Sequence, residues 1–343
     1  MRLIFLGSGE FGLPSIAALH KQHELIAVVT QPDRPAGRKR KLTPTPVGQW
    51  TVEQGIPTIK AEDANAPQIV EQIAALQADV GVIIAFGQKL SPQLIGALGR
   101  LAVNLHASLL PKYRGAAPIN WAIMKGEKVT GVSVIGLAQR MDAGAIYAQA
   151  SLEIDSRETA GQLHDRLAEL GPGTIGQVLV DLEAGRLEPI EQDDTLATRA
   201  PKLTKANGTT EFNLLAEAVR CRIHGLTPWP GCRVNWHCVQ TGETDLLILR
   251  RAAVLDSVPA FVREWITGHG LPAAGDVLPQ NVVACFAKPP FSADDVKPDN
   301  LLRLLEVQGP GTKTMSSDAF SQGYHLGPGD KLSCYTPAQS GAN

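Results

Sequence analysis

The stretch LAVNLHASLLPKYRGAAPINW, residues 101–121, sets a carboxamide and an imidazole two positions apart, Asn104 and His106. In a β-strand alternate side chains share a face, so this pair projects together while Val103 and Leu105 face the opposite layer. The carboxyl end of such a strand is where open parallel sheets place ligands. The loop beyond it carries a hydroxyl (Ser108), an apolar pair (Leu109 and Leu110), two prolines and a glycine, which makes it stiff and shaped. Downstream, GLAQRMDAGAI sets Asp142 in an Asp-Ala-Gly turn between two strand-like runs. An Asn, a His and an Asp at strand-end or turn positions suit addition to a carbonyl. The Asn would donate to the developing oxyanion, the His would donate as imidazolium, and the Asp would bias the His charge and relay protons. The same three residues also suit a buried polar pair and a turn-making Asp, and their spacing alone does not choose.

A second candidate opens the chain. FLGSGEFG places Gly7, Gly9 and Gly12 after an apolar run, the Gly-x-Gly-x-x-Gly spacing of a dinucleotide-binding turn. Glycine lets the backbone turn tightly and leaves N–H groups free. A nicotinamide dinucleotide site also wants an acid at the end of the second strand to hold the ribose. Here that strand, LIAVVT, ends in Gln31-Pro32, with Asp33 beyond the proline. The fingerprint is incomplete, and a plain strand-to-helix turn competes with it. Cys221, His224, Cys232, His237 and Cys238 cluster in sequence, but at spacings of no common zinc site, so no metal is expected. Arg38, Lys39, Arg40 and Lys41 form a basic run that is either a solvated loop or a phosphate contact. Trp229, between prolines, reads as a packed corner, and Phe5 and Phe11 as core.

The elements that must hold these residues follow from texture. Apolar runs recur at LIFLG, LIAVVT, VGVIIAFG, AVNLHAS and GVSVIGL, with helix-like stretches PSIAALHK, PVGQWTVEQG and APQIVEQIAALQA between the earlier ones. Buried strands separated by helices imply an α/β fold, a Rossmann-like, mostly parallel sheet with helices on both faces. Two amphipathic helices, TAGQLHDRLAEL and GTIGQVLVDLEAG, close this domain at about residue 188. Residues 189–206 are polar and read as linker. A short helical patch then leads to short strand candidates separated by Gly, Pro and Asp turns, which suggests a small antiparallel β-barrel over 207–325. The remainder, 326–343, reads as a mobile tail.

With 343 residues, 44% of them hydrophobic, the chain can bury two substantial cores. Its formal charge of -2 gives no global field for nucleic acid or membrane, so any anion-binding surface must be local. No apolar run is long enough to span a bilayer, and the glycine-broken start is unlike a signal peptide. Five widely spread cysteines fit reduced thiols in a cytoplasm better than a disulfide frame.

The combination QPDRPAGRKRKLTPTPV, NLHASLLPKYRGAAPI, MDAGAI, ATRAPKLTKANGTTEFN and GLTPWPG resembles the methionyl-tRNA formyltransferases, members of the folate-dependent formyltransferase family. The resemblance runs from residue 1 to about residue 325. It implies a Rossmann-like domain that binds 10-formyltetrahydrofolate in place of a nicotinamide cofactor, a C-terminal OB-like barrel, and attack of a methionyl α-amine on the formyl group. It implies that Asn104 and His106 stabilise the formyl oxygen as the carbon becomes tetrahedral, and that Asp142 orders a water and assists removal of the ammonium proton. Ser108, Leu109, Leu110 and Pro111 would line the folate site, with the backbone near Phe86, Gly87, Gln88 and Leu90 bordering the pterin. Arg38 to Lys41 would meet the acceptor end of initiator methionyl-tRNA. A monomer is expected. Sugar-nucleotide N-formyltransferases share N-x-H and a distant Asp but have no reason for the basic loop, and a nicotinamide-dependent oxidoreductase rests on the three glycines alone. One departure stands out: from Lys205 on there are 12 Lys and Arg against 13 Asp and Glu, so the C-terminal domain carries no net positive charge for RNA.

Overall fold

The computed structural model describes residues 1–37 and 40–335. The chain begins β1 (Arg2–Gly7), α1 (Leu13–Gln22), β2 (Glu24–Thr30), β3 (Arg34–Ala36), β4 (Lys41–Thr43), α2 (Pro46–Gln54), β5 (Thr58–Lys60) and α3 (Pro67–Ala75). It continues β6 (Val80–Ile84), α4 (Pro92–Ala97), β7 (Leu101–His106), α5 (Pro118–Met124), β8 (Val129–Gly136), β9 (Ile146–Glu153), α6 (Ala160–Ala168) and α7 (Gly171–Glu183). The first sheet has strand order β5-β2-β1-β6-β7-β8-β9. It is parallel from β5 through β7, and β8 and β9 are antiparallel additions. Its central strands read as unbroken apolar runs because both faces are covered. Ile4, Leu6, Val29, Ile83 and Phe86 form a core with Ile73 of α3 and Leu94 of α4. On the other face, a Cβ at Gly171 of α7 would meet Leu105 of β7 and Ser15 of α1. Alternation therefore turns Asn104 and His106 away from α7. The parallel sheet and its flanking helices are those expected from the sequence.

The opening glycines serve packing. A Cβ at Gly7 would strike the Phe5 ring and lie 2.7 Å from the Ile84 carbonyl, and one at Gly12 would touch the same ring at 3.0 Å. The turn's groups are engaged with neighbouring segments: the Ser8 N–H donates to the Ala85 carbonyl, and Ser8 Oγ accepts from the Gln31 N–H at 3.1 Å. Asp33 pairs with Lys60 at 2.6 Å.

The chain divides into two compact units. The first is Met1–Pro118, Val129–Glu153 and His164–Pro201; the second is Ile119–Lys128, Ile154–Leu163 and the residues from Lys202 on. The stretch expected as a linker therefore belongs to the first unit as far as Pro201. Between Arg34 and Thr43, β3 and β4 form an antiparallel hairpin closed by Arg40 N–H donating to the Gly37 carbonyl. Gly37 sits at φ 67°, a conformation glycine takes without Cβ strain.

The second unit adds α8 (Ala216–Gly225), β10 (Cys232–His237), β11 (Thr244–Val254), α9 (Ala260–His269), β12 (Val277–Leu278), β13 (Val282–Ala284), β14 (Leu301–Gln308), β15 (Met315–Ser316), α10 (Ser317–Tyr324) and β16 (Lys331–Cys334). Its antiparallel sheet runs β12-β13-β14-β11-β10-β16, with β15 beside β14. A bridge between Asp276 and Lys331 joins the two ends, closing the expected barrel. The region expected as a mobile tail is, over 326–335, part of this barrel. β16 pairs with β10, and Asp330 accepts from the Trp236 indole N–H at 2.7 Å and the Val239 N–H at 2.8 Å. Residues 336–343 lie outside the described residues.

Candidate active site

β7 delivers Asn104 and His106, and the loop that follows turns back to hold them. Tyr113 sits at φ 62° and aims its carbonyl at His106 Nε2, 3.0 Å away. A carbonyl only accepts, so Nε2 carries a hydrogen and the neutral ring keeps Nδ1 as its open nitrogen. Nδ1 faces Asp142 Oδ2 at 3.7 Å, with both side chains largely buried. Asp142 Oδ2 also accepts from the Gly115 N–H at 2.8 Å. Oδ1 of Asp142 and the Asn104 carboxamide take part in no side-chain hydrogen bond among the described residues. The site thus presents an uncommitted amide, an imidazole nitrogen and a carboxylate oxygen. All three sit at the carboxyl end of the sheet, as expected for a ligand.

Asp142 needs support because its φ of 54° is unusual for a residue with a side chain. Gly144 beside it lies so close to the Gly136 backbone that a Cβ there would collide with the Gly136 carbonyl. Gln192 spans the turn: its Nε2 donates to the Asp142 carbonyl at 2.9 Å and the Gly144 carbonyl at 2.7 Å. Its Oε1 accepts from Arg114 Nε at 3.0 Å and Nη2 at 2.7 Å. Arg114 Nη1 continues to Asp194 at 2.8 Å, and Arg140 holds the other Asp194 oxygen at 2.6 Å. These two guanidiniums, Arg140 first, hold the Asp194 carboxyl below the usual carboxylate range. Backbone bonds from Arg114 N–H to the Thr198 carbonyl and from Ala200 N–H to the Arg114 carbonyl complete the frame.

Of the segment expected to line a folate, Leu109 and Pro111 keep exposed surface, whereas Ser108 and Leu110 are buried. Ser108 Oγ donates to the Lys112 carbonyl at 2.7 Å. Leu110 packs with Ile135 and Ile146. Ser133, a residue sequence reasoning missed, shapes this loop by accepting from the Leu110 N–H at 3.0 Å and donating to the Ser108 carbonyl at 2.7 Å. Gln149 adds Nε2 bonds to Ser133 Oγ and the Leu110 carbonyl. In the second expected segment, Phe86 is core and Leu90 packs against that core. Gly87 is exposed at φ 80°. The Gln88 amide is occupied by Ala61 and Ala64 backbone groups. Of the four residues expected there, Gly87 is the exposed one.

Arg40 and Lys41 are exposed at the tip of the β3–β4 hairpin, and Arg38 and Lys39 lie outside the described residues. The clustered cysteines and histidines do not gather: among the described residues no three His, Cys, Asp or Glu side chains are placed to hold a metal. His237 hydrogen-bonds Thr244 and Ser333, and burial pushes the Cys232 thiol up to about 12. Among the described residues no helix is long and apolar enough to cross a membrane. Tyr113, Arg114, Gly115 and Gln192 were also missed by sequence reasoning. The available signal was the polar Gln-Asp-Asp after an apolar segment, which reads as solvated linker unless its partners are known.

Residues 1–179 match the formyl transferase family model. Over 336 residues the chain is 42% identical to the methionyl-tRNA formyltransferase of Trichlorobacter lovleyi, covering 96% of each chain. It is 36% identical to that of Moorella thermoacetica over 346 residues, covering 97% of this chain and 100% of the relative. Among solved structures, an N-formyltransferase from Helicobacter canadensis, in complex with folinic acid and dTDP-3-aminofucose, superposes with TM-score 0.61 at 13% identity. The match covers 90% of this chain and 98% of that one, a likeness of fold.

Proposed function

This chain belongs to the formyl transferase family and, within it, to the methionyl-tRNA formyltransferases, and on that premise we propose that it moves the formyl group of 10-formyltetrahydrofolate to the α-amine of initiator methionyl-tRNA. The observation that carries the reading is the meeting of Asn104, His106 and Asp142 at one sheet end, each with an atom uncommitted to the fold. The donor supplies an activated one-carbon unit; the chain's residues supply orientation, hydrogen bonds and proton handling. Asn104 Nδ2 donates to the formyl oxygen, where negative charge grows as the amine adds. His106, fixed through Nε2 by the Tyr113 carbonyl, turns Nδ1 to the same region, 3.7 Å from the Asp142 carboxylate. Asp142 Oδ1 accepts a proton from the attacking ammonium, directly or through one water. Leu109, Pro111 and the backbone at Gly87 border the folate, and the basic run Arg38 to Lys41 contacts the tRNA acceptor end.

The groups present fit a formyl donor: an oxyanion needs donors, an ammonium needs an acceptor, and both kinds are free here. The deciding assay incubates the protein with 10-formyltetrahydrofolate and charged initiator tRNA and looks for formyl-methionine after deacylation. Formyl-methionine is the expected product. Transfer to a dTDP-amino sugar with none to methionyl-tRNA would overturn the proposal.

A further inference from the structure

The aspartate of the site sits on the 142–144 turn, and the histidine, carried by β7, is oriented by the 113–115 loop, whose Gly115 N–H donates to Asp142 Oδ2. Gln192, from a third segment, joins them. Its carboxamide has two donor hydrogens and two acceptor lone pairs, and all four are used. The donors go to the carbonyls flanking the Asp142 turn, and the acceptors to the Arg114 fork. Arg114 lies between the residue that orients His106 and the residue that holds Asp142 Oδ2. A left-handed backbone at Asp142, φ 54°, is disfavoured for a residue with a side chain and persists only when its surroundings over-determine it. The two donated bonds do that.

We propose that Gln192 is a positioning residue for formyl transfer, locking the Asp142 turn to the Arg114 loop so that the carboxylate stays opposite His106 Nδ1. This deepens the functional reading above and rests on it. Gln192 bonds only to the frame and to neither folate-bordering segment, so its loss should fall on turnover more than on binding.

Two variants test it. Gln192→Glu keeps the acceptor side toward Arg114 but sets an anionic oxygen against the Asp142 and Gly144 carbonyls. Gln192→Met keeps the length, removes donors and acceptors, and adds no charge. Misplacing a reacting group by about 1 Å can cost about 100-fold. Each variant should therefore lower kcat by about 10- to 100-fold with KM for donor and methionyl-tRNA held within about twofold. Gln192→Met should also displace the pH at which kcat is half-maximal, because the carboxylate no longer sits fixed beside the imidazole. A merely structural glutamine would lower the melting temperature and leave kcat per folded molecule and its pH profile where they were. That result in whichever variant folds would overturn the role. A wild-type chain without formyl transfer would overturn the functional reading itself. A wild type that turns over beside variants of equal kcat and equal pH profile would remove only Gln192.

Discussion

His106 can offer a reactant only one of its nitrogens, because the Tyr113 carbonyl takes the other. On the proposed function that restriction divides the labour: Asn104 and His106 Nδ1 would face developing negative charge, and Asp142 Oδ1 the proton that must leave. Asn104→Ala removes one oxyanion donor and should cost about 10²–10³ in kcat. Asp142→Asn preserves shape, and its Oδ1 can still accept from Gly115 N–H, but it then turns an NH2 where a carboxylate oxygen stood. Turnover should fall by a comparable factor while donor affinity, read by calorimetric titration, stays nearly intact. Wild-type single-turnover rates in both variants would move the chemistry elsewhere. The placement of these three residues was legible in the sequence, because N-x-H on a strand fixes a shared face and Asp-Ala-Gly favours a turn, but their roles came from the resemblance, since spacing alone does not choose. Gln192, Arg114 and Ser133 were not, since each acts through partners at least 16 residues away in sequence, and spacing carries no information about such pairs.

At the scale of elements, buried parallel strands announced themselves and marginal elements did not. β6, β1 beyond Arg2, and most of β2 and β7 are apolar, as burial on both faces requires. The hairpin β3–β4 is three residues a side and fully exposed, so no hydrophobic alternation marks it. α9 hides its core contacts, Val262 and Ile266, among polar residues, and β16 hides behind a Gly-Pro-Gly turn. The hairpin is also where the acceptor is tested. Of its basic run, Arg40 and Lys41 are exposed, with no core to disturb, and Arg38 and Lys39 lie outside the described residues. Four neutralised phosphates would contribute about -3 to -4 to the slope of log K against log salt. Replacing all four with Gln or Ser should flatten the salt dependence of the KM for methionyl-tRNA by up to that amount. Thermal stability should move little, exposed substitutions usually costing within about 0.5 kcal/mol. Equal slopes for wild type and variant, measured at three salt concentrations, would leave the hairpin a solvated surface.

For the molecule as a whole, charge is nearly balanced, 32 Lys and Arg against 34 Asp and Glu, so its response to pH is set by particular buried groups more than by net repulsion. His224 on α8 is the clearest. It is 1% exposed, its Nε2 accepts from the Ala252 N–H at 3.1 Å, and its Nδ1 faces Arg220 Nη1 at 3.3 Å. Burial first, then the nearby Arg220 and Arg251 guanidiniums, push it down to about 4 from an ordinary 6.5. Between those two pH values the unfolded chain holds a proton that the folded chain refuses, so stability falls as pH falls and returns as pH rises. The contribution is fully present above about pH 6.5, and about 2 kcal/mol of it is lost between pH 7 and pH 5. His224→Gln has no such titration and can still accept from the Ala252 N–H, so its stability should be flatter over the same range by about that amount, whatever its value at pH 7. Hydrogen exchange of the buried β10 and β11 amides at pH 7, 6 and 5, corrected for intrinsic rates, reads the opening free energy of the second unit directly. Parallel losses in wild type and variant on acidification would mean that His224 already takes its proton in the folded barrel.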